Sequence, residues 1–191
     1  MTLIEDLRQQ TEEAHRSLEK DLIGRIKRIA SREDYLELLS LMYGFYSAME
    51  DELLPFLRTH EDVDFSERRK AAWLIHDMET LGKAGDLKKC GVLPSIESQA
   101  SALGAMYVLE GSTLGGPIIA KMIRQQLGIE GENGFTFFMS YGKDAPVMWQ
   151  RFKDSLAKPF RADEHEAIIR AANETFITFR NWIEQYDAKN V

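Results

Sequence analysis

Apolar residues recur every three or four positions along most of this chain, and strict alternation is nearly absent. That is the pattern of amphipathic helices rather than of half-buried strands. Thr2 followed by Glu5 reads as a capping box that opens a helix running to about residue 24. The run "SREDYLELLSLMYGFYSAMEDELLPFL" starts at Ser31 with acids in its first turn and ends near Pro55. A third helix is expected from Ser66 through "RRKAAWLIHDMETLG" to Gly82, followed by a connector, "KKCGVLPSI", punctuated by Pro94. A long glycine-bearing helix then stops at Gly128, and "GENGFTFFMSYG" predicts an irregular or briefly extended stretch. Asp144 is placed to cap "APVMWQRFKDSLAKPF", and Asp163 lies near the start of the last helix, "DEHEAIIRAANETFITFRNWIEQYD". The expectation is an all-α, bundle-like fold, with residues 1–191 forming one domain.

Charge and composition narrow the classes. A net charge of −7 argues against a nucleic-acid binder, which needs a basic field. The single cysteine, Cys90, allows no intrachain disulfide and fits a cytoplasmic location. The N-terminal stretch "MTLIEDLRQQTEEAH" carries acids early and does not read as a signal peptide. No uncharged apolar run approaches the ~18 residues of a membrane span, so no membrane partner is expected.

One polar residue sits in an apolar stripe. Leu7, Thr11, His15, Leu18 and Leu22 follow one another at helical spacing and share a face. His15 is therefore either a core histidine with both ring nitrogens satisfied or a ligand to a metal or haem, held in one orientation. Glu19, one turn on, could hydrogen-bond the ring or simply be a solvated charge. Arg8, seven residues earlier, lies about 10 Å away along the helix on roughly the same side. It is within reach of an acidic edge of a ligand centred on His15, or is a surface charge.

A second anomaly lies in "LEGSTLGGPII", residues 109–119. Each interior glycine costs a helix about 1 kcal/mol against Ala, and an interior proline about 3. Gly111 and Gly115 are four apart and share a face, Gly116 widens the notch, and Pro117 predicts a kink. Such a bare strip suits close helix packing, a membrane dimer that Glu110 makes a poor match, or a flat ligand laid against the backbone.

Together, "LRQQTEEAHRSLE" and "YVLEGSTLGGPII" resemble the bacterial biliverdin-forming haem oxygenases, in helix order and length as well as in these motifs. The resemblance implies a haem-oxygenase-like helical bundle with a kinked, glycine-rich distal helix. It makes His15 the iron ligand, with Glu19 the carboxylate beyond it. It makes Arg8 and Tyr107 propionate contacts, and Phe176 an aromatic packed on haem. Gly111, Ser112, Gly115 and Gly116 become the distal segment beside bound oxygen, and Arg151 and Lys153 stand as candidates for a further basic contact. Haem is then both cofactor and substrate, cleaved with oxygen to biliverdin, carbon monoxide and iron. An external electron donor is implied, whether ferredoxin, flavoprotein reductase or small reductant, because no dinucleotide-binding fingerprint is present. A biliverdin-accepting protein is a further expected partner.

The chain departs from the animal-type pattern at Ser112, where those enzymes carry an aspartate that orders water. That leaves room for a haem carrier or sensor without turnover. A non-haem di-iron oxidase of the same fold needs two Glu-x-x-His elements. Glu12 and His15 supply one, but Leu57, Trp73 and Ala162 precede the remaining histidines at that spacing. A thiamine-degrading enzyme would need a nucleophilic cysteine, and Cys90 lies in a connector. His60 and His165 read as solvated and His76 as structural. "MYGFYSAM" (42–49) reads as core or as pocket lining, and "SERRK" (66–70) as a solvated helix start that could receive an acidic redox partner.

Overall fold

A computed structural model describes residues 2–82 and 87–189, and among them every regular element is helical. The helices are α1 (Leu3–Gln10), α2 (Glu12–Lys27), α3 (Arg32–Leu57), α4 (Ala72–Thr80), α5 (Gln99–Gly111), α6 (Gly116–Leu127), α7 (Thr136–Met139), α8 (Ala145–Leu156) and α9 (Ala162–Lys189). Short 3₁₀ turns cover Phe65–Glu67, Ser112–Leu114 and Gly142–Asp144. The buried apolar side chains form one contiguous core.

The capping signals at Thr2 and Ser31 are both in use. Each hydroxyl accepts a backbone N–H three residues on, and the acid there, Glu5 or Asp34, accepts back from the cap. The first helix, however, is interrupted at Thr11. Its buried hydroxyl donates to the Leu7 carbonyl at 2.7 Å, alongside its own backbone N–H at 3.0 Å, a back-bond of the kind that bends helices. The helix expected from Ser66 starts only at Ala72, because Arg68 is extended (φ −79°, ψ 157°) and drawn inward. The "SERRK" cluster is accordingly no solvated patch: Arg68 and Arg69 are both buried. The stretch expected to be irregular contains α7, whose first N–H groups at Thr136 and Phe137 each donate to the buried Asp77 carboxylate at 2.8 Å.

Two close crossings set the frame. At Gly104 on α5, an added Cβ would lie 2.1 Å from the Ile168 carbonyl oxygen of α9, so only a bare backbone lets these helices meet. At Gly44 on α3, the Trp182 ring of α9 takes the side-chain space, and its indole N–H donates to the Leu41 carbonyl at 2.9 Å. Along α2, Asp21 accepts from Arg180 at 2.6 Å and Arg25 pairs with Asp187, binding this helix to α9. At the far end of α6 the Gln126 amide donates to the Ile26, Lys27 and Ile29 carbonyls, at 3.1, 3.2 and 3.2 Å. Thus α2 and α6 are joined at one end and diverge from it.

Gly104→Ala should destabilise the fold by about 1–3 kcal/mol through overpacking. Urea unfolding checks this; a variant as stable as the parent would contradict the close crossing.

Candidate active site

The divergence of α2 from α6 leaves a cavity of about 550 Å³, roofed and floored mainly by apolar and aromatic side chains. It is the size expected of a pocket for a cofactor-sized ligand. His15 lines it from α2, with Leu18 and Leu22 beside it. The His15 side chain is half exposed, so it opens into the slot rather than filling core. Its Nε2 lies 3.2 Å from Glu19 Oε1, and its ring sits 5.1 Å from that of Phe176 on α9. The imidazole thus lies between a carboxylate and an aromatic ring, partners that can orient it. Arg8 and Tyr107 share the cavity wall. Burial pushes the Tyr107 phenol up from its ordinary range, and the Arg8 charge pulls it partly back. A cation and a phenol at one edge of an apolar slot suit an acidic ligand edge.

The opposite wall is the junction of α5 and α6. The chain breaks at the Ser112–Leu114 turn, before Pro117, which occupies the first turn of α6 where its missing N–H costs nothing. Gly111 and Gly115 both line the cavity. Neither needs a left-handed backbone (φ −57° and −85°), so what matters is the missing side chain. A Cβ at Gly115 would meet only the Ser112 carbonyl at 3.8 Å, and one at Gly111 only the Trp149 ring at 3.7 Å. The vacant space lies toward the slot.

Gly116 behaves differently from its neighbours. It is off the cavity wall, and an added Cβ would fall 2.1 Å from the Phe138 carbonyl oxygen. It serves the crossing with α7. Arg151 and Lys153 are also absent from the wall. Arg151 is exposed and paired with Asp64, and Lys153 is half-buried on the same helix.

Sequence reasoning overlooked Arg69, which lines the cavity beside the glycine turn. It is only 8% exposed. Its Nη2 donates to Ser112 Oγ at 2.5 Å and to the Leu109 carbonyl at 2.8 Å, with Tyr46 Oη at 3.3 Å. Its guanidinium lies 4.2 Å from the Phe137 ring centroid and 5.0 Å from that of Tyr46. No carboxylate among the described residues lies within ion-pair distance of it. Ser112 donates to the Leu109 carbonyl at 2.7 Å, so Tyr46, 2.9 Å away, must donate to Ser112. The serine oxygen then accepts two bonds and donates one, its full capacity. A signal for Arg69 was present as a dibasic pair between helices, but nothing in the spacing said which way either arginine pointed. Met42 and Tyr46 of the "MYGFYSAM" stripe do line the slot, while Phe45 of the same stripe is core.

No group of three or more His, Cys, Asp or Glu gathers among the described residues as a di-iron centre would need, and Cys90 is buried with its thiol donating to the Val92 carbonyl. No described helix is long and apolar enough to cross a membrane.

Known proteins share this fold. The Heme oxygenase family model matches residues 1–185. The chain is 29% identical over 151 residues to a heme oxygenase of Xanthomonas campestris pv. campestris, covering 77% of this chain and 87% of that one. Among solved structures, the heme oxygenase of Neisseria meningitidis, studied in NO- and CO-bound form, superimposes with a TM-score of 0.79 at 20% identity, over 98% of this chain and 93% of that one. The Leptospira interrogans heme oxygenase gives 0.78 at 20% identity, over 97% and 100%. Heme oxygenase-1 of Synechocystis, in complex with heme, gives 0.72 at 20% identity, over 99% and 94%. With a slot between a histidine helix and a glycine turn, and a family match along nearly its whole length, this chain belongs to the haem oxygenase family.

Proposed function

We propose that His15 would supply a nitrogen ligand to haem iron, and that Arg69, Ser112 and Tyr46 would form a hydrogen-bonding group across the slot from it. The observation that carries this reading is a single slot bounded by the His15 imidazole on one side and bare glycine backbone on the other. Bound haem supplies the iron that activates oxygen and is itself the ring that is opened, to biliverdin, carbon monoxide and iron.

Each wall has a task in that reaction. Glu19 and Phe176 fix the imidazole plane and leave one ring nitrogen for iron. Arg8 and Tyr107, together on the cavity wall, would hold the propionates of a bound haem. Gly111 and Gly115 leave bare backbone on the slot wall, which would let a flat macrocycle approach the chain there. Arg69 brings a fixed positive charge to the same side. In a cavity with apolar walls such a charge stabilises developing negative charge far better than water does, because it needs no reorganisation. Ser112 is saturated by Tyr46, Arg69 and Leu109, so it orients the arginine rather than supplying a proton itself. Where the animal-type enzymes carry an aspartate, this chain has Ser112 with the Arg69 guanidinium bonded to it.

Electrons come from an external donor, a ferredoxin, flavoprotein reductase or small reductant, in a reducing, cytoplasmic compartment. A biliverdin-accepting protein completes the set of partners.

With hemin, reductant and air, the wild-type Soret band should decay as biliverdin absorption rises; a Soret band that persists would mean binding without turnover. Arg69→Met should still bind hemin but degrade it about a hundredfold more slowly, the scale for losing a preorganised donor. Wild-type turnover in that variant would remove Arg69 from the chemistry. Gly115→Leu should stay close to the parent melting temperature, since an added Cβ meets nothing nearer than the Ser112 carbonyl at 3.8 Å and the position opens on the cavity, yet lose hemin affinity. Unchanged hemin binding would contradict the close approach of backbone to ring.

A further inference from the structure

Arg68 and Arg69 are consecutive and their side chains leave the chain on opposite sides, as extended backbone dictates. Arg69 reaches into the cavity. Arg68 turns away from it, into a fully buried site behind α5, where its Nη1 donates to Glu110 Oε2 at 2.9 Å and to the Met148 carbonyl at 2.8 Å. Its Nε donates to the Val63 carbonyl at 2.8 Å.

Glu110 holds a second tether. Its other oxygen, Oε1, accepts from the Tyr141 hydroxyl at 2.9 Å. That same hydroxyl accepts the backbone N–H of Arg69 at 2.6 Å. A phenol has one proton. Because it is committed to the carboxylate, the oxygen is left to accept, and Arg69 N–H is the donor it meets. Burial and the neighbouring carboxylate both push the Tyr141 phenol up, which keeps that proton in place.

A buried ion pair is a poor device for stability alone, since desolvation offsets most of the attraction and an apolar pair of similar volume does as well. Here the cost is higher, because Arg68 Nη2 is buried without a partner among the described residues. The arrangement makes sense as a positioning device.

We propose that Glu110 positions Arg69. One carboxylate grips the chain on both sides of the 68–69 peptide, through the Arg68 side chain and through Tyr141 to the Arg69 backbone, and so sets where the Arg69 guanidinium meets Ser112. The consequence for turnover rests on the role given to Arg69 above; the positioning itself does not.

The test uses the haem-free full-length chain. Hydrogen exchange of the Arg69 guanidinium and backbone N–H is followed by ¹⁵N NMR in wild type, Tyr141→Phe and Glu110→Gln. The Trp182 indole N–H, buried and bonded to Leu41, reports on the stability of the fold as a whole. Arg69 exchange should accelerate about tenfold in both variants, the equivalent of one lost hydrogen bond, while Trp182 is unchanged. Tyr141→Phe removes a single hydroxyl, so it keeps the test alive if Glu110→Gln fails to fold. Unchanged Arg69 exchange would overturn the proposal. So would parallel acceleration of Arg69 and Trp182, which would make Glu110 a support of the whole fold. Haem degradation is then measured in Tyr141→Phe. A loosened Arg69 with undiminished turnover would leave the positioning intact and strike instead at the part given to Arg69 in the reaction.

Discussion

A slot in a close-packed helical protein has to be held open by its walls, and here the constraint sits in the backbone between Gly111 and Gly115. Side chains at those two positions would reach into the cavity, whereas the neighbouring Gly116 is spent on a contact with α7. The 3₁₀ turn at Ser112–Leu114 lets α6 leave α5 at an angle, and the Gln126 amide holds the far end of α6 against the end of α2. The wedge of space between is the slot. His15 faces that wedge from one side, and Arg69 reaches it from the other, bonded to Ser112 in the turn.

The electrostatics follow from the same geometry. The chain carries net negative charge, yet the described cations of the cavity wall are Arg8 and Arg69. Arg8 is at the edge that would take acidic groups. Arg69 lies deep, softened by the faces of Phe137 and Tyr46 rather than neutralised by a carboxylate. A cation held so in an apolar wall attracts negative charge forming beside it, and aromatic faces keep it in place at less cost than a second buried ion would. Two carboxylates lie in the neighbourhood and neither pairs with Arg69: Glu110 is kept behind the helix, where it anchors the chain, and Glu50 accepts the Ala71 N–H.

The sequence was most readable where local chemistry and tertiary role coincide. The capping boxes at Thr2 and Ser31 needed only residues three apart, and the His15 stripe needed only helical periodicity. Two positions four apart also pointed to the bare strip at Gly111 and Gly115. What escaped depends on contacts far along the chain. Thr11 looks like one more stripe residue until its hydroxyl is seen to bond Leu7 and interrupt the helix. The dibasic pair looks like a solvated helix start, because the acid that buries Arg68 is 42 residues away, and no local pattern distinguishes an arginine facing Glu110 from one facing Ser112. Gly116 shares its neighbour's composition but not its role, which is set by the path of α7. Arg151 and Lys153 lie off the wall for the same reason: the residue that α8 presents to the slot is Trp149.

The central claim is that the slot is a haem site organised by His15. Its most direct test is a hemin titration of His15→Ala followed in the visible spectrum, without and then with added imidazole. The account predicts that the ligated Soret band of the wild-type complex is lost in the variant and returns when imidazole enters the vacated space, with haem degradation returning alongside it. A variant whose hemin spectrum and turnover match the wild type, with no response to imidazole, would contradict the claim.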